Sequence, residues 1–426
     1  MDKIMVGKPL VPSSGEYRRY KMARFTLPRD IYHGRGSLEA LSHLKGKKAR
    51  ICVGGGSRKR FGFLAKAEEY LKKAGFEVEL FEGIESDPSV ETVRRGAEAR
   101  LKFEPDWIVA IGGGSPIDAA KARWIKYEYP EITFEDRCKV FQLPELRHKA
   151  HFCAISSTSG TATEVTAFSI ITDYQKGIKF PIADFEITPD VAIVDPELAH
   201  TRPKKLVAHT GRDAITHAIE AYVSTANSRF SDADALLAAK VIKADLVDSY
   251  NGVREARDNV HFAQCLAGMA FSNASLGIVH SMAHKTGAAF QDYGAHIIHG
   301  AANARYLPKV IAYNAKDLTA RQRYVEIANE MGIFGCTPRD TVNNLIKVLR
   351  ERNDALNIPH CIKHYGKDSY PTEEGFVPES VYLERRHDIA ANAILDACTL
   401  TNPRKPTQEE REKLLDCVYY DLPVNF

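Results

Sequence analysis

The sequence predicts a chain in two halves: an α/β half built on a parallel sheet, then an all-α half. Three observations predict this. Short β-rich pieces alternate with longer helical ones from Phe25 to about Pro196, as in a parallel sheet covered by helices. Two of those strands run directly into glycine clusters, Gly54-Gly55-Gly56-Ser57 and Gly112-Gly113-Gly114-Ser115. Beyond Pro196 the strand signal disappears, and helical periodicity continues almost to the C-terminus.

Taken in order, residues 1–23 read as a loosely structured arm. Strands are expected at Arg50–Val53, Glu77–Phe81 and Trp107–Ile111, with helices at Leu64–Ala74 and Val90–Leu101 between them. Cys153–Ile155 and Val191–Val194 read as further strands. Ala167–Thr172 and Lys179–Ile182 flank a polar turn, Asp173–Gly177, and read as a hairpin. The helical stretches that follow include Ala233–Tyr250, Asp258–Asn273, Ala315–Gly332, Thr337–Leu356 and Thr407–Val418. The expected boundary is near Leu198, with a dinucleotide-binding domain over 1–198 and a helical, metal-binding and catalytic domain over 199–426.

Composition narrows the function classes. The 426 residues are 44% hydrophobic and 27% charged, ordinary for a soluble globular protein and ample for a large core. A net charge of +3 gives no field that points to nucleic acid or an anionic membrane. The eight cysteines are scattered without CxxC spacing, so neither a disulfide framework nor a zinc ribbon is indicated. No stretch reaches the roughly 20 apolar residues of a membrane span, and Met1–Arg24 lacks the apolar run of a signal peptide. A cytoplasmic location is the expectation.

The second glycine cluster continues into Pro116-Ile117-Asp118-Ala119-Ala120-Lys121. Proline early in a helix costs little, because its missing N–H had no partner there. Glycines let a diphosphate approach the backbone, and the helix start offers it free N–H groups and a positive dipole end. Ser156-Ser157-Thr158-Ser159-Gly160-Thr161, again after a strand, offers hydroxyl donors. The first cluster leads into Arg58-Lys59-Arg60, where an NAD enzyme usually carries an acid for the ribose 2′-OH. Small residues and cations suit a 2′-phosphate, so NADP is expected over NAD.

A metal site is read from spacing. In Gly211-Arg212-Asp213-Ala214-Ile215-Thr216-His217, Asp213 and His217 stack on one helix face. His280 and His284 repeat the spacing, and His299 follows. One such pair is usually a surface contact or a satisfied core group. Two pairs and a further histidine in one helical region point to a divalent transition metal, Fe(II) or Zn(II).

These residues carry a resemblance. GGGSPIDAAK at Gly112–Lys121, STSGTATEVT at Ser157–Thr166, GRDAITHAIEAY at Gly211–Tyr222, GIVHSMAHKTGA at Gly277–Ala288 and HGAANA at His299–Ala304 resemble the iron-dependent (group III) alcohol dehydrogenases. The resemblance runs from about Phe25 to the C-terminus. Cys398–Pro406 looks like the tail of the alcohol domain of bifunctional acetaldehyde/alcohol dehydrogenases, and Gly54–Arg60 like the NADP-using butanol dehydrogenases.

The resemblance implies a dehydroquinate synthase-like fold, with nucleotide and metal facing each other across an interdomain cleft. It makes Asp213, His217, His280 and His299 the metal ligands and places His284 near the substrate, a candidate proton relay. It puts Gly112, Gly113, Gly114, Ser115, Asp118, Ser157, Thr158, Thr161 and Lys179 at the cofactor. Gly55, Gly56, Ser57, Arg58 and Asp87 complete the expected cofactor contacts. The segment between His284 and His299 is longer than in relatives and adds His296, three residues before His299. Either histidine could reach the metal, and the Gly-Ala-Ala-Asn after His299 favours His299.

The implied reaction is reversible hydride transfer between a small primary alcohol and NADP, with the metal as Lewis acid on the substrate oxygen. Relatives form dimers or larger assemblies, so a homo-oligomer is expected. The rivals are a dehydroquinate-synthase-like lyase and a glycerol or polyol dehydrogenase on the same fold. The first usually carries more phosphate- and carboxylate-binding Lys and Arg in its helical domain. The second generally binds zinc with fewer ligands.

Overall fold

A computed structural model describes residues 23–54, 62–85, 88–93, 103–173, 178–290, 297–363 and 377–426. The first half holds strands β1 (Asp30–His33), β2 (Lys48–Gly54), β3 (Glu77–Ile84), β4 (Trp107–Gly112) and β5 (His151–Ser156), then β6 (Phe168–Asp173), β7 (Ile178–Ala183) and β8 (Val191–Val194). Six of them form one parallel sheet in the order β1-β8-β5-β4-β2-β3, and β6 and β7 pair antiparallel as the expected hairpin. The sequence gave no warning of β1, four half-exposed residues that add to the sheet edge beside β8. Of the expected helix Val90–Leu101, residues 90–93 are helical and the rest lies outside the described residues.

The sheet is covered on both faces. Alternate residues of a strand point to opposite sides, so Ile108 and Ala110 of β4 enter one core while Trp107, Val109 and Ile111 enter another. Strand β8 ties the halves together. Val191 and Ile193 face the sheet's own core, whereas Ala192 and Val194 join the core of the helical half.

Strand order creates a crevice. From β2 the chain moves outward to β3 on one side, then returns to lay β4 and β5 on the other. The crevice at such a reversal, at the carboxyl ends of the strands, is where open α/β sheets bind ligands. The two glycine clusters begin at the ends of these two neighbouring strands, at Gly54 and Gly112. Helices α1 (Phe63–Lys73) and α2 (Gly114–Glu128) follow them.

The second half contains α3 (Lys204–Val223), α4 (Arg229–Asn251), α5 (Arg254–Ala274), α6 (Ile278–Ala289), α7 (His299–Asn314), α8 (Leu318–Glu330), α9 (Pro338–Ala355), α10 (Glu379–Ile394) and α11 (Gln408–Tyr420). Capping boxes start α4, at Ser228 with Ser231, and α11, at Thr407 with Glu410. Central to this half is α3, buried along nearly its whole length after Leu206. A Cβ added at Gly300 would lie 2.0 Å from the His209 carbonyl oxygen, so only glycine lets α7 cross α3 this closely. Among the described residues no single helix is long and apolar enough to cross a membrane.

Candidate metal centre and cofactor cradle

Helix α3 presents Asp213 and His217 on successive turns, α6 contributes His280, and His299 opens α7. The Nε2 atoms of His217, His280 and His299 lie 3.8, 3.5 and 3.4 Å from Asp213 Oδ1. Ligand atoms of Asp213, His280 and His299 all fall within 4.8 Å of one another. The His217 ring is stacked between His280, at 4.6 Å, and Phe271, at 4.3 Å.

At the focus of these groups sits the side-chain amide of Asn303. Its nitrogen lies 2.7 Å from Asp213 Oδ1 and 3.1 Å from the Nε2 atoms of both His280 and His299. An amide nitrogen carries two hydrogens and here meets three acceptors. One carboxylate oxygen with several imidazole nitrogens is a donor set for Fe(II) or Zn(II), so the residues present fit the metal.

The electrostatics of Asp213 and His217 agree. Burial alone would raise the Asp213 carboxyl, but His217, His299 and His280 around it hold it far below the usual carboxylate range. Burial pushes His217 down to about 3 against the pull of Asp213, which keeps the ring neutral and able to ligate. Burial would also lower His280, but Glu220 and Asp213 raise it to about 9, so an ion at Nε2 has to displace a proton there. Glu220 Oε2 lies 2.5 Å from His280 Nδ1, and its Oε1 accepts the Val279 N–H at 2.8 Å. A carboxylate on Nδ1–H fixes the tautomer that leaves Nε2 as a donor to metal.

His284 stands beside this group. Its ring stacks on His299 at 5.1 Å with 12° between planes, and Asp396 Oδ2 lies 3.0 Å from its Nδ1.

The cofactor loops interlock at the head of α2. A Cβ on Gly113 would meet Thr158 at 3.0 Å, and one on Gly114 would meet Thr161 at 3.2 Å. The Ser157 N–H donates to the Gly112 carbonyl at 2.7 Å. No side chain caps the start of α2. Ser157 Oγ and Thr158 Oγ1 are buried with no partner among the described residues. Unpartnered buried hydroxyls are costly, and two of them beside an uncapped helix start fit a diphosphate. Ser115 lies in the first turn of α2. Asp118 is buried farther along that helix, and its carbonyl accepts from Ser169.

Lys179 is paired with Thr172 across the hairpin, and its side chain lies outside the described residues. Gly55, Gly56, Ser57, Arg58, Asp87 and His296 also lie outside them.

Cradle and metal helix touch through bare backbone. A Cβ on Gly160 would lie 2.5 Å from Thr210 Cβ and 2.7 Å from the Thr210 carbonyl oxygen, and Thr210 is one turn before Asp213 on α3.

Three side chains escaped the sequence reading. Glu220 is seven residues after Asp213 and Asn303 four after His299, so helical spacing could have found both. Asp396 had no such signal, being 112 residues from His284.

With this geometry in view, residues 28–196 match the family model described as iron-containing alcohol dehydrogenase, and residues 207–419 match that of the C-terminal part of the Fe-containing alcohol dehydrogenase family. The chain belongs to the iron-containing alcohol dehydrogenases. It is 57% identical over 405 residues to an NADPH-dependent butanol dehydrogenase of Clostridium saccharobutylicum, covering 95% of this chain and 100% of that protein. It is 39% identical over 447 residues to the bifunctional aldehyde-alcohol dehydrogenase of Escherichia coli K12, covering 98% of this chain and 48% of that longer protein. The solved iron-containing alcohol dehydrogenase of Thermococcus thioreducens superposes with a TM-score of 0.82 at 37% identity, over 93% of this chain and 100% of that one. This iron-containing alcohol dehydrogenase is therefore a metal-dependent oxidoreductase, and neither the lyase nor the polyol dehydrogenase alternative gains support.

Proposed function

We propose that the enzyme interconverts a small primary alcohol and its aldehyde by hydride exchange with NADP(H), using ferrous iron, with zinc as the other ion the donor set accepts. One observation carries the reading: Asp213, His280 and His299 offer ligand atoms within 4.8 Å of one another, with His217 Nε2 3.8 Å from Asp213 Oδ1, in a helical half whose Thr210 abuts Gly160 of the cofactor-side loop. An ion held there supplies Lewis acidity to the substrate oxygen, and the nicotinamide carries the hydride. Asp213 offsets the ion's charge in a buried setting where electrostatic effects are strong. Glu220 orients His280. The Gly113 and Gly114 backbone, with the Ser157 and Thr158 hydroxyls, grips the diphosphate, and Ser115, Asp118, Thr161 and Lys179 complete the cofactor contacts.

His284 passes the substrate proton toward solvent through Nε2, while Asp396 fixes the ring through Nδ1. His284→Ala is expected to lower kcat roughly tenfold, below the ~10²–10⁴ of an obligatory acid–base group, because water can stand in. Unchanged turnover with an unchanged pH profile excludes the relay.

NADP preference rests on the cations after Gly54 and on the printed name of the Clostridium relative. Steady-state kinetics on iron-loaded, anaerobic enzyme with a panel of aldehydes should give a higher kcat/KM for NADPH than for NADH. Equal or better use of NADH overturns the preference, and no aldehyde reduction with either cofactor overturns the reaction. The same reading places the domain boundary near residue 198 and the enzyme in the cytoplasm as a homodimer or larger homo-oligomer.

A further inference from the structure

We propose that His284, Asp396 and Cys398 form a second cation site, for a thiophilic divalent ion such as Zn(II), beside the metal centre described above. Their ligand atoms all lie within 4.8 Å of one another. An imidazole, a carboxylate and a thiolate are together a zinc donor set, and the thiolate selects for softer ions. The first centre offers only oxygen and nitrogen.

The place already holds positive charge. Lys285 Nζ lies 3.2 Å from Asp396 Oδ2, and the Cys398 N–H donates to Asp396 Oδ1 at 3.1 Å. Lys285 is on a flexible stem with its side chain 14% exposed, so it can swing out and give its place to an ion. The His284 side chain is 12% exposed, which leaves a way in. Each centre has its own carboxylate, Asp213 in one and Asp396 in the other, so two ions do not share one negative charge. On binding, the Cys398 S–H bond breaks and its proton leaves to buffer, the His284 proton moves from Nδ1, which faces Asp396, to Nε2, and metal–sulfur and metal–nitrogen bonds form.

Cobalt tests this directly. Thiolate bound to Co(II) gives a near-ultraviolet charge-transfer band that imidazole and carboxylate donors do not, so the band is blind to the first centre. Anaerobic holoenzyme titrated with Co(II) is expected to take up one further equivalent with that band, and one equivalent of Zn(II) should erase it. Cys398→Ser should lose the band, while Cys336→Ser and Cys138→Ser, at the two cysteines that are not buried, should keep it. His284→Ala should weaken the uptake at least tenfold, an independent reading should Cys398→Ser fail to fold. Absence of the band, its survival in Cys398→Ser, its loss in Cys336→Ser or Cys138→Ser, or unweakened uptake in His284→Ala overturns the site. Failure of the alcohol dehydrogenase reading would show instead as no aldehyde reduction by the iron-loaded enzyme before any Co(II) is added.

Discussion

Replacing Asp213 by alanine is expected to reduce kcat/KM for the aldehyde by about 10³-fold or more, with NADPH affinity changed little. The carboxylate is the anionic member of the proposed ligand set, and three imidazole nitrogens face the same oxygen. Loss of a single preorganised charge-stabilising contact costs about 10²–10³ in turnover, and loss of the ligand that neutralises the ion costs the ion as well. The cofactor cradle is built on β4, β5 and the head of α2, so it should survive the change. Fluorescence titration of NADPH into the variant, beside turnover, separates the two effects. Chelator-treated native enzyme should behave the same way and recover with added Fe(II). Substantial turnover in either preparation would remove the metal from the reaction.

Glu220→Gln is expected to weaken metal affinity about 10–100-fold, the usual cost of losing a carboxylate that orients a ligating histidine. Glutamine keeps the shape and can still accept from Val279 N–H, but it carries no charge to hold His280 Nδ1–H. Activity should therefore fall at limiting iron and return toward the native value at high iron. That rescue marks a positioning role. A loss that excess metal cannot restore, with a lowered melting temperature, would mean that Glu220 serves the fold alone.

Much of this architecture could be read from the residues. The switch from strand to helical periodicity near Pro196 told the halves apart, and the glycine clusters marked the ends of β2 and β4. Those signals are local, because backbone geometry imposes them within a few residues. The edge strand β1 could not be read, since four half-exposed residues have no pattern of their own and gain a partner only when β8 arrives from far along the chain. Asp213 with His217, and His280 with His284, stood out because helices stack residues three or four apart, while His299 as a ligand came from the family resemblance. Glu220 obeys the same rule but looked like one more surface acid on a helix. Asp396 depends on a tertiary meeting with His284 that no spacing encodes.

The abutment of Gly160 on Thr210 has a mechanical corollary. Where a glycine rests directly on a neighbour's main chain and Cβ, the separation works as a gauge block, insensitive to rotamer drift. The spacing between the loop after β5 and the helix that carries Asp213 and His217 is then set by the polypeptide itself.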